Sequence, residues 1–214
     1  MTTDSKTTTG GDAAAARGLF NGADLTGWSG APALWSVEDG AIVARNDGVV
    51  PTSTYLFSDE TFTDFRLTLR VRQTVGPGYS TMHSAVAACG ERFTDAGDPY
   101  GFRGPLLMFC QDWGIFDAYG RSRVVPAGYP TFWNHDAEHI GDWNAIEILV
   151  LGDRIRMAAN GTEIFDFTDE PGRLHPSPIG LQLHANQEPQ EFRFTDLRVT
   201  TGDLAERLLT LSSE

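Results

Sequence analysis

The chain has 214 residues, with 16 Lys and Arg against 29 Asp and Glu, so its formal net charge is −13. That balance excludes a binder of nucleic-acid backbones, which needs a basic surface, and opposes docking on an anionic membrane. A hydrophobic fraction of 41% supports one domain with a sizeable core, and 23 Gly with 11 Pro favour many turns over long helices.

Residues 1–16 (MTTDSKTTTGGDAAAA) are small and polar, without the apolar stretch of about 7–15 residues that a signal peptide needs. They read as a disordered tail over 1–17, and the expected location is cytoplasmic. No run of about 18 apolar residues suggests a membrane-spanning helix. Cys89 and Cys110 read first as two free buried thiols, with one disulfide between them as the alternative.

Strands are expected at 34–38, 41–45, 55–58, 64–72, 82–88, 106–110, 115–119, 179–184 and 191–200. The clearest is 64–72, where Phe65, Leu67, Leu69 and Val71 alternate with Arg66, Thr68, Arg70 and Arg72. Its basic face is either a solvated outer surface or one that meets ligand oxygens. Residues 145–151 (AIEILVL) suit a strand buried on both faces. Strands at 154–159 and 162–167 follow, joined by the hairpin signal Asn160-Gly161. Turn clusters at Glu38-Asp39-Gly40, Gly76-Pro77-Gly78, Asp98-Pro99 and Pro171-Gly172 separate the rest. About a dozen short strands predict a two-sheet β-sandwich or jelly roll. One helical turn is expected at 136–140, and a short helix at 203–211 capped by Asp203. The division is a tail at 1–17, a jelly roll at 18–201 and a C-terminal helix or tail at 202–214.

Nucleotide-binding glycine motifs, G-x-S-x-G and H-E-x-x-H are all absent. The paired carboxylates usual for a jelly-roll glycosidase are absent too. Five strings nevertheless fall in a characteristic order. They are Gly18-Leu19-Phe20-Asn21-Gly22 running on to Trp28, Trp35-Ser36-Val37-Glu38-Asp39-Gly40, Gly141-Asp142-Trp143-Asn144 with Glu147, Gly180-Leu181-Gln182-Leu183-His184, and 191–199 (EFRFTDLRV). This set resembles the 3-keto-disaccharide hydrolase domain family over about residues 18–200.

The resemblance implies a concanavalin-like two-sheet β-jelly roll acting on sugars oxidised at C3. A ketone at C3 acidifies the C2 hydrogen, so a base of ordinary strength removes it. The C1 oxygen is then expelled and water adds back. A separate sugar 3-dehydrogenase would supply the substrate. The chain also departs from the family. His83-Ser84-Ala85 stands where many members carry N-S-G, and Leu107 and Phe109 stand where the family's acid and amide fall.

His184 follows Gln182 by two, so both face one side of their strand, and both match the family string. The catalytic candidates are His184, Asp117 and Asp112. The substrate-binding candidates are His83, Arg103, Gln111, Trp113, Arg121, Trp133 and Gln182, with the tryptophans as stacking platforms for a sugar face. Trp143 is expected to fill the core. His135 and His139, spaced i, i+4, are the metal candidates, so a divalent cation is the one cofactor the sequence offers. The expected partner is a small-molecule sugar, and a homo-oligomer stays open. Two functions stand open: an enzyme cleaving 3-keto-glycosides, and a non-catalytic, lectin-like sugar binder.

Overall fold

The structure is a computed structural model that describes residues 15–76, 82–109, 115–117, 122–124 and 137–212. At 116–117 and 122–124 it describes the backbone. Among the described residues seventeen strands run in chain order. They are β1 (Arg17–Gly18), β2 (Trp28–Ser29), β3 (Trp35–Glu38), β4 (Ala41–Asn46), β5 (Thr54–Phe62), β6 (Phe65–Val75), β7 (Ala85–Ala87), β8 (Glu91–Asp95) and β9 (Asp98–Arg103). Then follow β10 (Pro105–Met108), β11 (Ile115–Asp117), β12 (Ser122–Val124), β13 (Asn144–Leu151), β14 (Arg154–Ala159), β15 (Thr162–Thr168), β16 (Ser177–Leu183) and β17 (Gln190–Thr200).

Two antiparallel sheets form the expected two-sheet jelly roll. The first is ordered β15-β14-β13-β6-β17-β4-β3, with β1 also on β17. The second is ordered β12-β11-β10-β7-β16-β5-β2. Period-two alternation decides which side chains meet between them. Phe65, Leu67, Leu69 and Val71 of β6 and Ile146, Ile148 and Val150 of β13 face Leu56, Val86, Leu107 and Leu181 of the second sheet in one core. The Asn160-Gly161 signal is a turn, with φ of 48° and 83°.

The outer-face arginines of the first sheet meet protein groups. Arg66 is buried in an ion pair with Glu147, and Arg70 and Arg72 lie over the Trp143 ring at 5.4 and 4.8 Å. Trp143 therefore sits half-buried under two guanidinium groups rather than in the core, because it precedes β13 on the outward side. Beyond them, Arg45 and Arg193 both bind Glu38 and Glu191. Burial pushes the Glu191 carboxyl up, but donors from Arg193, Thr74 and Arg45 outweigh it and hold the group at about 2.

Two expectations for the ends need correction. Arg17 belongs to the fold rather than to a tail, since β1 pairs it with Val199. Residues 203–212 contain no helix and run as bends. Their backbone groups are taken by the sheet instead: Arg66 donates to the carbonyls of Ala205 and Arg207, and the amides of Leu209 and Thr210 donate to Glu147. Leu208 is buried against Leu149 and Ala158. Tertiary hydrogen bonds thus replace the helical ones that Asp203 was expected to start.

One hairpin stands apart from both sheets. Among the described residues β8 and β9 pair only with each other, and they lie over the outer face of the second sheet, where Phe102 packs on Tyr55 and Phe57. The sequence suggested a turn at Asp98-Pro99, but the turn is Ala96-Gly97, at φ 46° and 93°, and Asp98 already pairs with Asp95. At the neck of the hairpin Gly90 and Gly104 cross so closely that a Cβ on Gly90 would lie 2.8 Å from the Gly104 Cα.

Candidate functional site

The outer face of the second sheet is organised in rows. Register places Phe57, Gly180, Ala87 and Leu106 side by side across β5, β16, β7 and β10. Two residues along, Tyr55 lies opposite Gln182, and Ala85 opposite Met108. Another two residues bring His184 between Ser53 and His83. The Ala185 amide donates to Ser53 Oγ at 3.0 Å, and the two imidazole centroids are 4.0 Å apart.

Gln182 is buried, and its Nε2 donates to the Tyr55 hydroxyl at 3.2 Å. Burial raises the Tyr55 pKa above the ordinary phenol range; Gln182 opposes this and the nearby Asp95 charge adds to it. The phenol therefore keeps its proton. Burial also lowers both histidines, taking His83 to about 4 with the second imidazole adding to the effect. At His184 the Ala185 backbone pulls the other way without completing a hydrogen bond to Nδ1, which is buried without a partner. The site thus presents two neutral imidazoles, each able to accept a proton.

The backbone beneath them is pinned. Gln190 Nε2 donates to the His184 carbonyl at 2.7 Å and to Asn46 Oδ1 at 3.2 Å, and Ser84 Oγ donates to the Gln182 carbonyl at 2.7 Å. These bonds fix the end of β16 and with it the imidazole of His184.

From Ser53 a cleft of about 320 Å³ runs between the sheet and the β8–β9 hairpin, lined by Ser53, Tyr55, Phe93, Asp95, Phe102 and Arg103. Arg103 is exposed, with its guanidinium 4.2 Å from the Phe93 ring centroid.

Of the residues singled out in the sequence, the fold brings His184, His83 and Gln182 together and sets Arg103 in the adjoining cleft. Asp117 ends β11 opposite Pro105 and Ser122, and its side chain lies outside the description. Asp112, Gln111, Trp113, Arg121, Trp133 and His135 lie outside the described residues, as does Cys110. His139 is exposed, and its backbone amide is bound to Asn144 Oδ1. Among the described residues no group of three or more His, Cys, Asp or Glu could hold a metal ion. Leu107 and Phe109 point into the core between the sheets, so the outward-facing neighbours are Leu106 and Met108, which are apolar as well. Cys89 is a buried thiol pushed up to about 12, chiefly by burial.

Tyr55 and Asp95 escaped the sequence reading. Period two on β5 would have found Tyr55 opposite Gln182. Asp95 carries no local signal, because its place depends on the hairpin folding back over the sheet.

Burying the imidazoles neutral has a measurable consequence. The unfolded chain takes up protons near pH 6.5, whereas folded His83 waits until about 4. Stability should therefore fall as pH drops through that window. Thermal melts should show this dependence flattening in His83→Asn.

A two-sheet β-jelly roll with a polar, aromatic-walled cleft beside two neutral histidines is the class of protein that fold and site define. Residues 15–200 match the family described as 3-keto-alpha-glucoside-1,2-lyase-like domain, and the chain belongs to that family. Similar solved structures include a candidate glycosyl hydrolase from Parabacteroides distasonis, at TM-score 0.60 and 17% identity, covering 88% of this chain and 94% of that one. The carbohydrate-binding module CBM66 from Bacillus subtilis has a TM-score of 0.55 at 16% identity, covering 82% and 96%. The carbohydrate recognition domain of Emp46p has a TM-score of 0.53 at 12% identity, covering 84% and 91%. At these identities the likeness shows the fold alone. No curated protein matches the sequence.

Proposed function

We propose that the chain cleaves 3-keto-glycosides by deprotonation at C2, elimination at C1 and hydration. The observation that carries this reading is the neutral His83–His184 pair, set beside Ser53 of the cleft. The His184 imidazole takes the C2 proton, and the C2–H electron pair forms a C2–C3 double bond as the C3 carbonyl becomes an enolate. When the carbonyl re-forms, the C1–O bond breaks, leaving a C1–C2 double bond conjugated to the ketone. Water then returns its oxygen to C1 and a proton to C2, so the net change is hydrolysis.

The Tyr55 hydroxyl, which keeps its proton, supplies a donor for the enolate oxygen. Protonation of the leaving oxygen falls to Asp117 or Asp112. A separate sugar 3-dehydrogenase, working in the same cytoplasmic compartment, supplies the substrate.

The second reading is a lectin-like sugar binder. The cleft favours it, since aromatic walls and Arg103 can hold a sugar without a titrating pair. The carbohydrate-binding proteins named among the similar structures also fit it. One experiment separates the readings: incubation of a 3-keto-glucoside with the protein in deuterium oxide. Elimination incorporates deuterium at C2 and leaves the unoxidised parent sugar uncut, because without the ketone C2–H is far too weak an acid. Cleavage without deuterium at C2, or equal rates on both sugars, would remove the mechanism. Binding without turnover would establish the binder.

A further inference from the structure

We propose that the β8–β9 hairpin builds the subsite for the leaving group, and that Asp95 and Arg103 select one rich in hydroxyls; this rests on the catalytic reading above. Both side chains line the cleft, one from each strand of the hairpin. Neither makes a hydrogen bond or ion pair among the described residues. The Arg103 guanidinium instead lies over the Phe93 ring at 4.2 Å. On the opposite sheet, by contrast, Arg45, Arg193 and Glu191 are joined in ion pairs. An acid and a base that share a cleft and no protein partner are left to a ligand.

The ligand's chemistry follows from theirs. A carboxylate only accepts hydrogen bonds and a guanidinium only donates them, so the matching group must do both at neighbouring atoms. Adjacent hydroxyls on a ring do so without carrying charge. An aryl leaving group would desolvate both charged groups and satisfy neither, which is costly. The position is suitable as well. Ser53 lines the near end of the cleft and is the cross-strand neighbour of His184. C1 is bonded to C2, so a ring whose C2 hydrogen meets His184 can extend its C1 substituent along the cleft toward the hairpin.

The test compares two substrates sharing the same 3-keto-glucosyl ring, one with a second glucose as leaving group and one with p-nitrophenol. The wild-type protein should prefer the disaccharide in kcat/KM, and Asp95→Asn and Arg103→Ala should each cut that preference about tenfold. Calorimetric titration with unoxidised maltose gives a readout that needs no turnover, and both variants should weaken its binding. An unchanged preference in both variants would overturn the proposal. So would maltose binding that is absent, or that neither substitution alters. If neither keto substrate is turned over while maltose binding still depends on Asp95 and Arg103, the catalytic reading falls and the subsite stands.

Discussion

Replacing His184 by alanine is expected to lower kcat for a 3-keto-glycoside by about 100- to 10,000-fold, the usual contribution of a positioned general base. The melting temperature should stay within a few degrees. Its Nδ1 is buried without a hydrogen-bond partner, so removing the ring relieves a desolvated polar group as well as leaving a gap. The bonds that fix the local chain also survive the substitution. Gln190 still reaches the residue 184 carbonyl, and the Ala185 amide still reaches Ser53. Single-turnover kinetics together with a thermal melt would check this. Activity lost only in proportion to folded protein would make His184 a structural residue.

The largest effect on stability is expected on the opposite sheet. Glu147 is fully buried, and its carboxylate binds Arg66, the amides of Leu209 and Thr210, and the Thr210 hydroxyl. Glu147→Ala strands a buried guanidinium and two amide donors, and should cost about 3–5 kcal/mol in urea denaturation. Burial pushes this carboxyl up, but the donors from Leu209 and Thr210, with the Arg66 charge behind them, outweigh it and hold it low. Its contribution is therefore present above the ordinary carboxylate range and is lost as pH falls through the depressed value. The variant's unfolding transition should accordingly lose part of the wild type's sensitivity to acid. Cleavage per folded molecule should be unchanged, because the pair lies across the core from the cleft.

Much of the sandwich was legible because alternation is a local signal. Phe65 to Val71 announced their own buried face, and Asn160-Gly161 announced its own turn. Gln182 and His184 were legible in the same way, two apart on one strand. His83 was named as a candidate, but not as the partner of His184, since a hundred residues separate them in the chain. The β8–β9 hairpin was missed because Pro99 and Gly101 break the strand pattern, and because it is held by covering the sheet rather than by joining it. The C-terminal segment failed for a related reason. Its leucines are spaced for a helix, but Glu147 and Arg66, far back in the chain, claim the backbone groups a helix would use. Glu147 itself stands in a nearly continuous apolar run, where nothing local shows that its partners come from residues 209–210.

The crossing of Gly90 and Gly104 makes the hairpin between them a replaceable cassette. Residues 91–103 leave the sandwich and return to it through this constriction, and no described strand of either sheet depends on them for its ladder hydrogen bonds. Changes in their length or sequence can reshape the cleft without shifting the register of β7 or β10. A side chain at either glycine would force the two backbones apart and tilt the whole hairpin away from the sheet. The neck is thus the constrained part and the tip the variable part. Diversification of sugar preference by exchanging this loop, in nature or in the laboratory, should leave the two histidines where they are.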